Sequence, residues 1–136
     1  MQNAVRVKYF YETVVSNHQL DALADFISSD CVVRSGESDT PIGVDGMRAH
    51  LVAIRSTYPD YTMKITRQYT DGDYVISEFI MTGTHKGDFL GITPSNKVIS
   101  ITGVDIDRVV GGKIVEHGGA ANTFDAFWAH RLIAPV

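Results

Sequence analysis

Hydrophobic residues recur at helical spacing in the first half of the chain and alternate with polar residues in the second half. The helical spacing predicts three amphipathic helices, at about residues 3–15, 17–27 and 44–58. Their apolar stripes are Val7, Phe10, Tyr11 and Val14, then Leu20, Leu23, Phe26 and Ile27, then Met47, Leu51, Ile54 and Tyr58. Pro59 ends the third helix, because the residue before a proline is disfavoured in helical conformation.

The residues after Pro59 are rich in β-branched and aromatic side chains and show the period of two that is typical of strands. The predicted long strands cover residues 61–70, 73–85, 97–110 and 113–122. Asp71-Gly72 and Gly111-Gly112 lie between successive strands, where two-residue hairpin turns need positive φ, so we expect antiparallel neighbours. A short strand at 31–36, a polar loop at 37–43 and a final helix at 123–133 complete the prediction. This order indicates an α+β fold of one domain, residues 1–136, in which a curved, mostly antiparallel sheet packs against helices on its concave side.

Composition narrows the classes of function. The chain has 136 residues and a formal net charge of −4, which gives no electrostatic basis for binding nucleic acid or an anionic membrane. The single cysteine, Cys31, excludes an internal disulfide framework and fits a reducing compartment. Arg6, Lys8 and Glu12 interrupt the first fifteen residues, so we expect no signal peptide, and no apolar run is long enough for a membrane span. A cytoplasmic location is the expectation.

Alternation along the strands places several reactive side chains on one apolar face of the sheet. The residues assigned to this face are Ile101, Gly103, Asp105 and Asp107 on one strand, Val115, His117, Gly119 and Ala121 on the next, and Phe79, Met81, Gly83 and His85 on a third. A desolvated Asp105 would have a raised pKa and could act as a general acid or base. A nearby carboxylate would fix the tautomer of His117 and support its charged form. Taken singly, a histidine or aspartate at the end of a strand is more often solvated or structural than catalytic.

Metal binding is not favoured by the spacing of the candidate ligands. His85, Asp105 and His117 could in principle ligate a metal, but the chain has no HxH or HExxH motif, so we expect none. The segment "GDFLGITPSNK" has glycines without the spacing of a phosphate-binding loop, and it is predicted to rim a pocket instead.

Three stretches carry a family resemblance: "YPDY", "DGDYVISEFIMTGTHKGDFLGITPSNK" and "GVDIDRVVGGKIVEH". Together with the helical first half, they resemble the SnoaL-like polyketide cyclases of the nuclear-transport-factor-2-like superfamily. The resemblance covers nearly the whole chain. It implies a cone-shaped α+β barrel that encloses a cofactor-free pocket, usually in a homodimer. Characterised members close a ring by intramolecular aldol condensation of an aromatic polyketide ester, and their acid–base residue is an aspartate shortly after the GKI-[DE]H motif.

The sequence departs from that family at its acid position. Matching from Lys113 onward places the aspartate position at Gly119. Many distant members have a tryptophan directly after EH and an aspartate four residues later. In this sequence those two positions are Gly118 and Asn122. His85 and His117 match pocket histidines of the family, and Asp105 takes a pocket-facing position on the preceding strand. The small residues 118–121 are expected to widen the pocket.

These observations predict a cofactor-free enzyme of the polyketide cyclase or isomerase type, with Asp105 as proton carrier and His117 and His85 as groups that orient or polarise a carbonyl oxygen. The expected substrate is a small, apolar, carbonyl-bearing molecule. Its predicted contacts are Tyr58, Phe79, Met81, Phe89, Ile101 and Gly119. A protein that binds a hydrophobic ligand without turnover is the main alternative. Epoxide hydrolysis by Asp105 and a second carboxylate is a third, in which Arg108 could assist only from inside the pocket.

The same alternation leaves an apolar strip on the other face of the sheet. Val104 and Ile106 lie opposite the face assigned to Asp105. An exposed strip of this kind favours self-association, so we expect a two-fold homodimer through the outer face, aided by the C-terminal segment.

Overall fold

A computed structural model describes residues 2–134. The helical elements are α1 (Asn3–Tyr9), which continues as a π-helical segment (Phe10–Val15), a 3₁₀ turn (Leu20–Ala22) that leads into α2 (Leu23–Phe26), α3 (Gly43–Thr57) and α4 (Thr123–Ala129). The strands are β1 (Ile27–Ser35), β2 (Ser38–Pro41), β3 (Thr62–Asp71), β4 (Tyr74–Thr84), β5 (Val98–Val110) and β6 (Lys113–Ala121). Within these residues, no helix combines the length and the apolar character that crossing a membrane requires.

The six strands form one sheet in the order β2-β1-β6-β5-β4-β3. Every neighbouring pair is antiparallel except β1 and β6, which run parallel. The predicted fold class, a curved and mostly antiparallel sheet around N-terminal helices, is therefore confirmed. The hairpin turns between the long strands have positive φ at Gly72 (57°), Gly111 (59°) and Gly112 (78°), a conformation that glycine adopts without steric cost.

The region before α3 differs from the prediction. Ser38–Pro41 forms an edge strand paired with Val32–Ser35, whereas the sequence predicts a polar loop there. Backbone hydrogen bonds make this pairing, so exposed polar side chains do not prevent it, and Pro41 is tolerated at an edge. In addition, β1 begins at Ile27, four residues earlier than predicted, because Ile27 pairs with β6.

Side-chain hydrogen bonds fix the first helical segment to β3. The carboxylate of Glu12 accepts from the backbone N–H of Ile65 at 2.9 Å, and the hydroxyl of Ser16 accepts from that of Met63 at 2.9 Å. The amide of Gln68 donates to the carbonyl of Ala4 at 2.9 Å. These bonds hold the predicted apolar stripe against the sheet, and all four of its residues are buried.

A β-bulge on β6 sets which side chains point inward. Arg108 pairs with Glu116 but Val109 pairs with Ile114, so Val115 is the extra residue. Ile114 and His117 consequently lie on the inner face although they are three residues apart. The predicted phase is correct from His117 onward and wrong for Val115, since a bulge interrupts strict alternation.

Candidate functional site

The inner face of the sheet, α3 and the π-helical segment enclose a cavity of about 590 Å³. Its wall is mostly apolar. All six predicted substrate contacts line it: Tyr58, Phe79, Met81, Phe89, Ile101 and Gly119. Further lining residues include Phe10, Val15, Met47, Leu51, Ile54 and Met63. The apolar stripe of α3 therefore serves the core and the cavity at once.

Asp105 and His117 both line this cavity. Asp105 lies on the inner face of β5 and is mostly removed from solvent. Burial, and then the charge of nearby Asp107, raise the pKa of Asp105 from its usual value near 3.8 to about 7, against the opposing effect of His117. An aspartate with this pKa exchanges a proton readily at neutral pH, which is the property required of a general acid or base.

Asp107 is the carboxylate that contacts His117. Its Oδ1 lies 2.7 Å from Nδ1 of His117, and its Oδ2 accepts a hydrogen bond of 2.7 Å from the hydroxyl of Tyr11. The side chain of Asp107 is completely buried. Because Nδ1 is engaged, Nε2 is the ring nitrogen of His117 left for a molecule in the cavity. The sequence predicted a carboxylate near His117, and the structure identifies that carboxylate as Asp107. Among the described residues no hydrogen bond joins Asp105 to His117.

The register between β5 and β6 explains why Asp107, and not Asp105, contacts His117. Asp107 stands directly opposite His117 on β6, whereas Asp105 stands opposite Gly119. Directly opposed residues in an antiparallel pair bring their Cβ atoms to about 5 Å, close enough for a hydrogen bond between short side chains. The sequence placed Asp105 and Asp107 on the same face, but it could not fix the register that decides between them.

Tyr11 lies in the π-helical segment Phe10–Val15, which continues the first helix. Within this segment Phe10, Tyr11, Val14 and Val15 are all buried against the sheet side of the fold. Burial, and then the charge of Asp107, raise the pKa of Tyr11 well above its usual value, so its phenol stays protonated and donates. Its oxygen also lies 3.3 Å from Nδ1 of His117.

The balance at His117 favours the charged ring. Burial alone would lower the pKa of His117, but the hydrogen bond to Asp107 and the charges of Asp107 and Asp105 together raise it. An imidazolium donates from Nε2 and can polarise a carbonyl oxygen in the cavity.

His85, the third residue predicted to be catalytic, is not among the residues that line the cavity. It is fully buried beside Tyr58 and Phe127, with ring centres 6.3 and 5.3 Å away. It follows Thr84, the last residue of β4, and its backbone bonds to Lys97 and Asn96 continue the pairing with the segment that leads into β5. The side chain is buried as the strand phase predicts, but it packs in the core and not on the cavity wall.

The sequence reading missed His50. This residue lies on α3 and lines the cavity. Partial burial, and then the charge of His117, lower its pKa. The interaction with His117 places two histidines in one cavity, one favoured charged and one favoured neutral. The helical periodicity of α3 contained a signal, because His50 lies next to Leu51 and three residues after Met47.

Other charged candidates lie outside the cavity. Glu116 points to the outer face, where it accepts a hydrogen bond of 2.9 Å from Tyr74, and Arg108 faces outward near Asp73 at 3.8 Å. No group of three or more histidine, cysteine or acidic side chains within residues 2–134 is arranged to hold a metal ion.

Gly119 cannot carry a side chain in this backbone. Its φ is 144°, and an added Cβ would lie 2.1 Å from the carbonyl oxygen of Val104 on β5. The position that the resemblance matches to the family's aspartate therefore cannot hold a side chain while β5 and β6 keep this pairing, and a carboxylate lines the cavity from the residue directly opposite, Asp105 on β5.

Comparison with known proteins agrees with this architecture. The family model described as SnoaL-like polyketide cyclase matches residues 5–127. No curated protein matches the chain at a significant level.

Several solved structures share the fold. A candidate polyketide cyclase from Acidithiobacillus ferrooxidans is 22% identical, with a TM-score of 0.86 and coverage of 98% of this chain and 97% of that one. IdmH, a candidate polyketide cyclase from Streptomyces antibioticus, is 23% identical, with a TM-score of 0.81 and coverage of 98% and 100%. AclR, a candidate hydroxylase from Streptomyces galilaeus, is also 23% identical, with a TM-score of 0.80 and coverage of 99% and 90%. Because proteins named for different reactions match equally well, the likeness shows the fold and leaves the reaction to the site.

Replacing Gly119 by alanine tests the constraint on the cavity wall. We expect Gly119→Ala to lower the free energy of unfolding by about 2–4 kcal/mol, because the new Cβ meets backbone and the φ is unfavourable. Gly118→Ala is the control, since its Cβ would meet the nearest atom at 3.1 Å and its φ is not in the left-handed region. Urea denaturation measures the free energy of unfolding of both variants. Equal losses of stability would contradict the conclusion that Gly119 cannot carry a side chain.

The raised pKa of Asp105 predicts a pH-dependent stability. The folded state keeps the carboxyl proton between pH 3.8 and about 7, where the unfolded chain has released it, so stability falls as pH rises through this window. Asp105→Asn removes the cost of burying the charge. The variant should be more stable than the native protein by roughly 2–4 kcal/mol at pH 8, and the difference should shrink towards pH 4. Denaturant titrations at both pH values measure this, and a gain independent of pH would contradict it.

Proposed function

Because the chain belongs to the SnoaL-like polyketide cyclase family, we propose that it is an enzyme of the cyclase or isomerase type that moves a proton on a small, apolar, carbonyl-bearing substrate. The observation that carries this proposal is the convergence of Asp105 and His117 on one apolar cavity. Both groups are side chains of the chain itself, and proton transfer between them and a carbonyl compound needs no cofactor.

Asp105 is the proposed general base. Its position in the cavity wall gives it access to a carbon next to a substrate carbonyl. A pKa of about 7 makes it a stronger base than an ordinary aspartate, while a large fraction remains ionised at neutral pH. After it takes the proton, the carboxylic acid returns it to another atom of the same substrate, which is the requirement for isomerisation or for the aldol step of ring closure.

His117 is the proposed electrophile. Abstraction of a proton beside a carbonyl places negative charge on the carbonyl oxygen, and a positioned donor stabilises that charge most where water is excluded. The 2.7 Å contact with Asp107 fixes the ring and directs Nε2 towards the cavity. Tyr11 holds the other oxygen of Asp107, so the carboxylate cannot turn away.

The cavity suits a substrate with more than one ring. Its volume of about 590 Å³ falls in the range of pockets that enclose drug-sized molecules. Aromatic and aliphatic side chains, including Phe79, Met81 and Ile101, form most of the wall, so apolar surface supplies most of the binding free energy.

A test needs a probe that reports proton abstraction without knowledge of the natural substrate. We choose 2-tetralone, an apolar bicyclic ketone, and measure exchange of its C1 hydrogens for deuterium by ¹H NMR. Asp105→Asn should slow the catalysed exchange by roughly 10²–10⁴-fold, because it keeps the shape of the side chain and removes the proton carrier. Asp30→Asn is the control, since this carboxylate is exposed on β1 and should leave the rate unchanged.

Equal exchange rates for the native protein and Asp105→Asn would overturn the assignment of Asp105. Binding of 2-tetralone with no catalysed exchange would favour the alternative of a ligand-binding protein without turnover. Epoxide hydrolysis gains no support from Arg108, whose side chain faces away from the cavity.

We also propose a two-fold homodimer through the outer face of the sheet. Ile80 and Ile106 are 36% and 42% exposed there, and Ile76 stands opposite Ile106 in the register of β4 and β5. An apolar strip of this kind is stabilised when a second copy covers it. Exposed Phe124 and Trp128 of α4 would extend the contact.

Sedimentation at micromolar concentration tests the dimer. The native protein should sediment as a dimer, and Ile106→Lys should shift it to a monomer because a charge would be buried in the interface. Val52→Lys is the control, since Val52 is 47% exposed on α3, away from the sheet face. A native protein that sediments as a stable monomer would overturn the proposal.

A further inference from the structure

One end of the cavity carries buried polar atoms without hydrogen-bond partners. Among the described residues, these include the hydroxyls of Tyr58 and Tyr61 and Nε2 of His85. Tyr58 and Tyr61 line the cavity, and His85 is the neighbour of Tyr58. A buried polar group without a partner costs free energy, so native proteins seldom keep several together unless water or a ligand satisfies them.

Tyr58 and Tyr61 are attached beside a part of the sheet that is distant from Asp105. An added Cβ on Gly83 would meet the Cβ atoms of Tyr58 and Tyr61 at 2.7 and 3.0 Å, so both tyrosines pack over Gly83. Gly83 pairs with Ile99, which is six residues before Asp105 on β5. Six residues of strand span about 20 Å. Tyr58 and Tyr61 therefore enter the cavity from a part of the sheet about 20 Å along the strand from Asp105.

The hydrogen bonds of His85 identify which nitrogen carries its proton. The backbone N–H of Ser95 donates to Nδ1 at 3.3 Å, and the Ser95 hydroxyl lies 3.0 Å from the same nitrogen. Nδ1 is thus an acceptor, and Nε2 of the neutral ring holds the proton. His85 presents an N–H donor with no acceptor, one side-chain layer behind the cavity wall.

Tyr58 provides the matching hydroxyl. Burial raises its pKa, so the phenol stays neutral and can donate or accept. Tyr61 is the weaker member of the cluster, because the guanidinium of Arg55 lies 4.2 Å from its ring centre and supplies a polar neighbour. The buried polar atoms of this cluster that lack a hydrogen-bond partner and a charged neighbour are therefore the hydroxyl of Tyr58 and Nε2 of His85.

We propose that the hydroxyl of Tyr58, which lines the cavity, forms a second polar subsite that holds a hydroxyl or carbonyl oxygen of the ligand remote from the reacting carbonyl. This inference rests on the proposed function, since it treats the same cavity as the substrate site. It narrows the substrate class to elongated apolar molecules of two or three rings that carry oxygen at both ends.

A matched pair of probes tests the subsite by binding alone. 4-Hydroxychalcone is an elongated two-ring ketone with a hydroxyl on the ring remote from the carbonyl, and chalcone lacks only that hydroxyl. Isothermal titration calorimetry should show that the native protein binds 4-hydroxychalcone about tenfold more tightly than chalcone. Tyr58→Phe should remove this preference and leave the affinity for chalcone unchanged. Tyr69→Phe is the control, because that hydroxyl bonds Glu78 on the exposed side of β3.

Thermal unfolding separates a binding role from a structural one. Because the Tyr58 hydroxyl has no partner in the fold, Tyr58→Phe should leave the Tm of the free protein unchanged or raise it. A clear fall in Tm would indicate a structural hydrogen bond, through buried water, and would overturn the proposal. Equal affinity of the native protein for the two probes, or binding of neither, would also overturn it.

The binding test of the subsite gives the same answer whether or not the protein is a catalyst. Asp105→Asn alters the far end of the cavity, so the ratio of affinities for the two probes should not change in that variant. Loss of deuterium exchange tests the proposed function, whereas loss of the affinity ratio in Tyr58→Phe tests the subsite.

Discussion

The buried carboxylate of Asp107 is the contact on which the arrangement of the cavity depends. It accepts from Tyr11 on the first helical segment and bonds His117 on β6, while its own backbone belongs to β5. A carboxylate removed from water is tolerated only when such donors surround it, so helix, β5 and β6 must dock together for the charge to be accommodated. The same contacts orient His117, so the interactions that pack these elements together also position the side chains of the site.

Two aspartates on one strand acquire different properties from this environment. Asp107 and Asp105 are two residues apart and share the inner face of β5, yet only Asp107 has side-chain donors directed at it. Asp105 faces an apolar cavity close to that charge, which raises its pKa to about 7. The raised pKa suits Asp105 to an acid–base role, while the hydrogen bonds of Asp107 give that residue a structural one.

Glycine shapes the wall in which these groups sit. A Cβ at Gly103 would meet the ring of Phe79 at 2.5 Å and the carbonyl oxygen of Ala120 at 2.6 Å, and Gly119 approaches the backbone of Val104 even more closely. At Gly103 and Gly119 the backbones of β5 and β6 therefore approach too closely for either residue to carry a Cβ atom. This close approach leaves no room for a carboxylate on β6 at Gly119, and in the proposed mechanism the proton carrier stands directly opposite, on β5.

The sequence by itself determined the order of the longer helices and the four long strands, the α+β class and the inward direction of Asp105, His117 and Gly119, because helical and strand periodicity are local properties of the chain. Only the tertiary structure decided that Asp107 partners His117, since that choice depends on the β5–β6 register and the bulge at Val115. The approach of Tyr11 through a π-helical segment, the presence of His50 in the cavity and the departure of His85 from its lining were likewise beyond the sequence. Each depends on distances between residues far apart in the chain, which packing sets and periodicity does not encode.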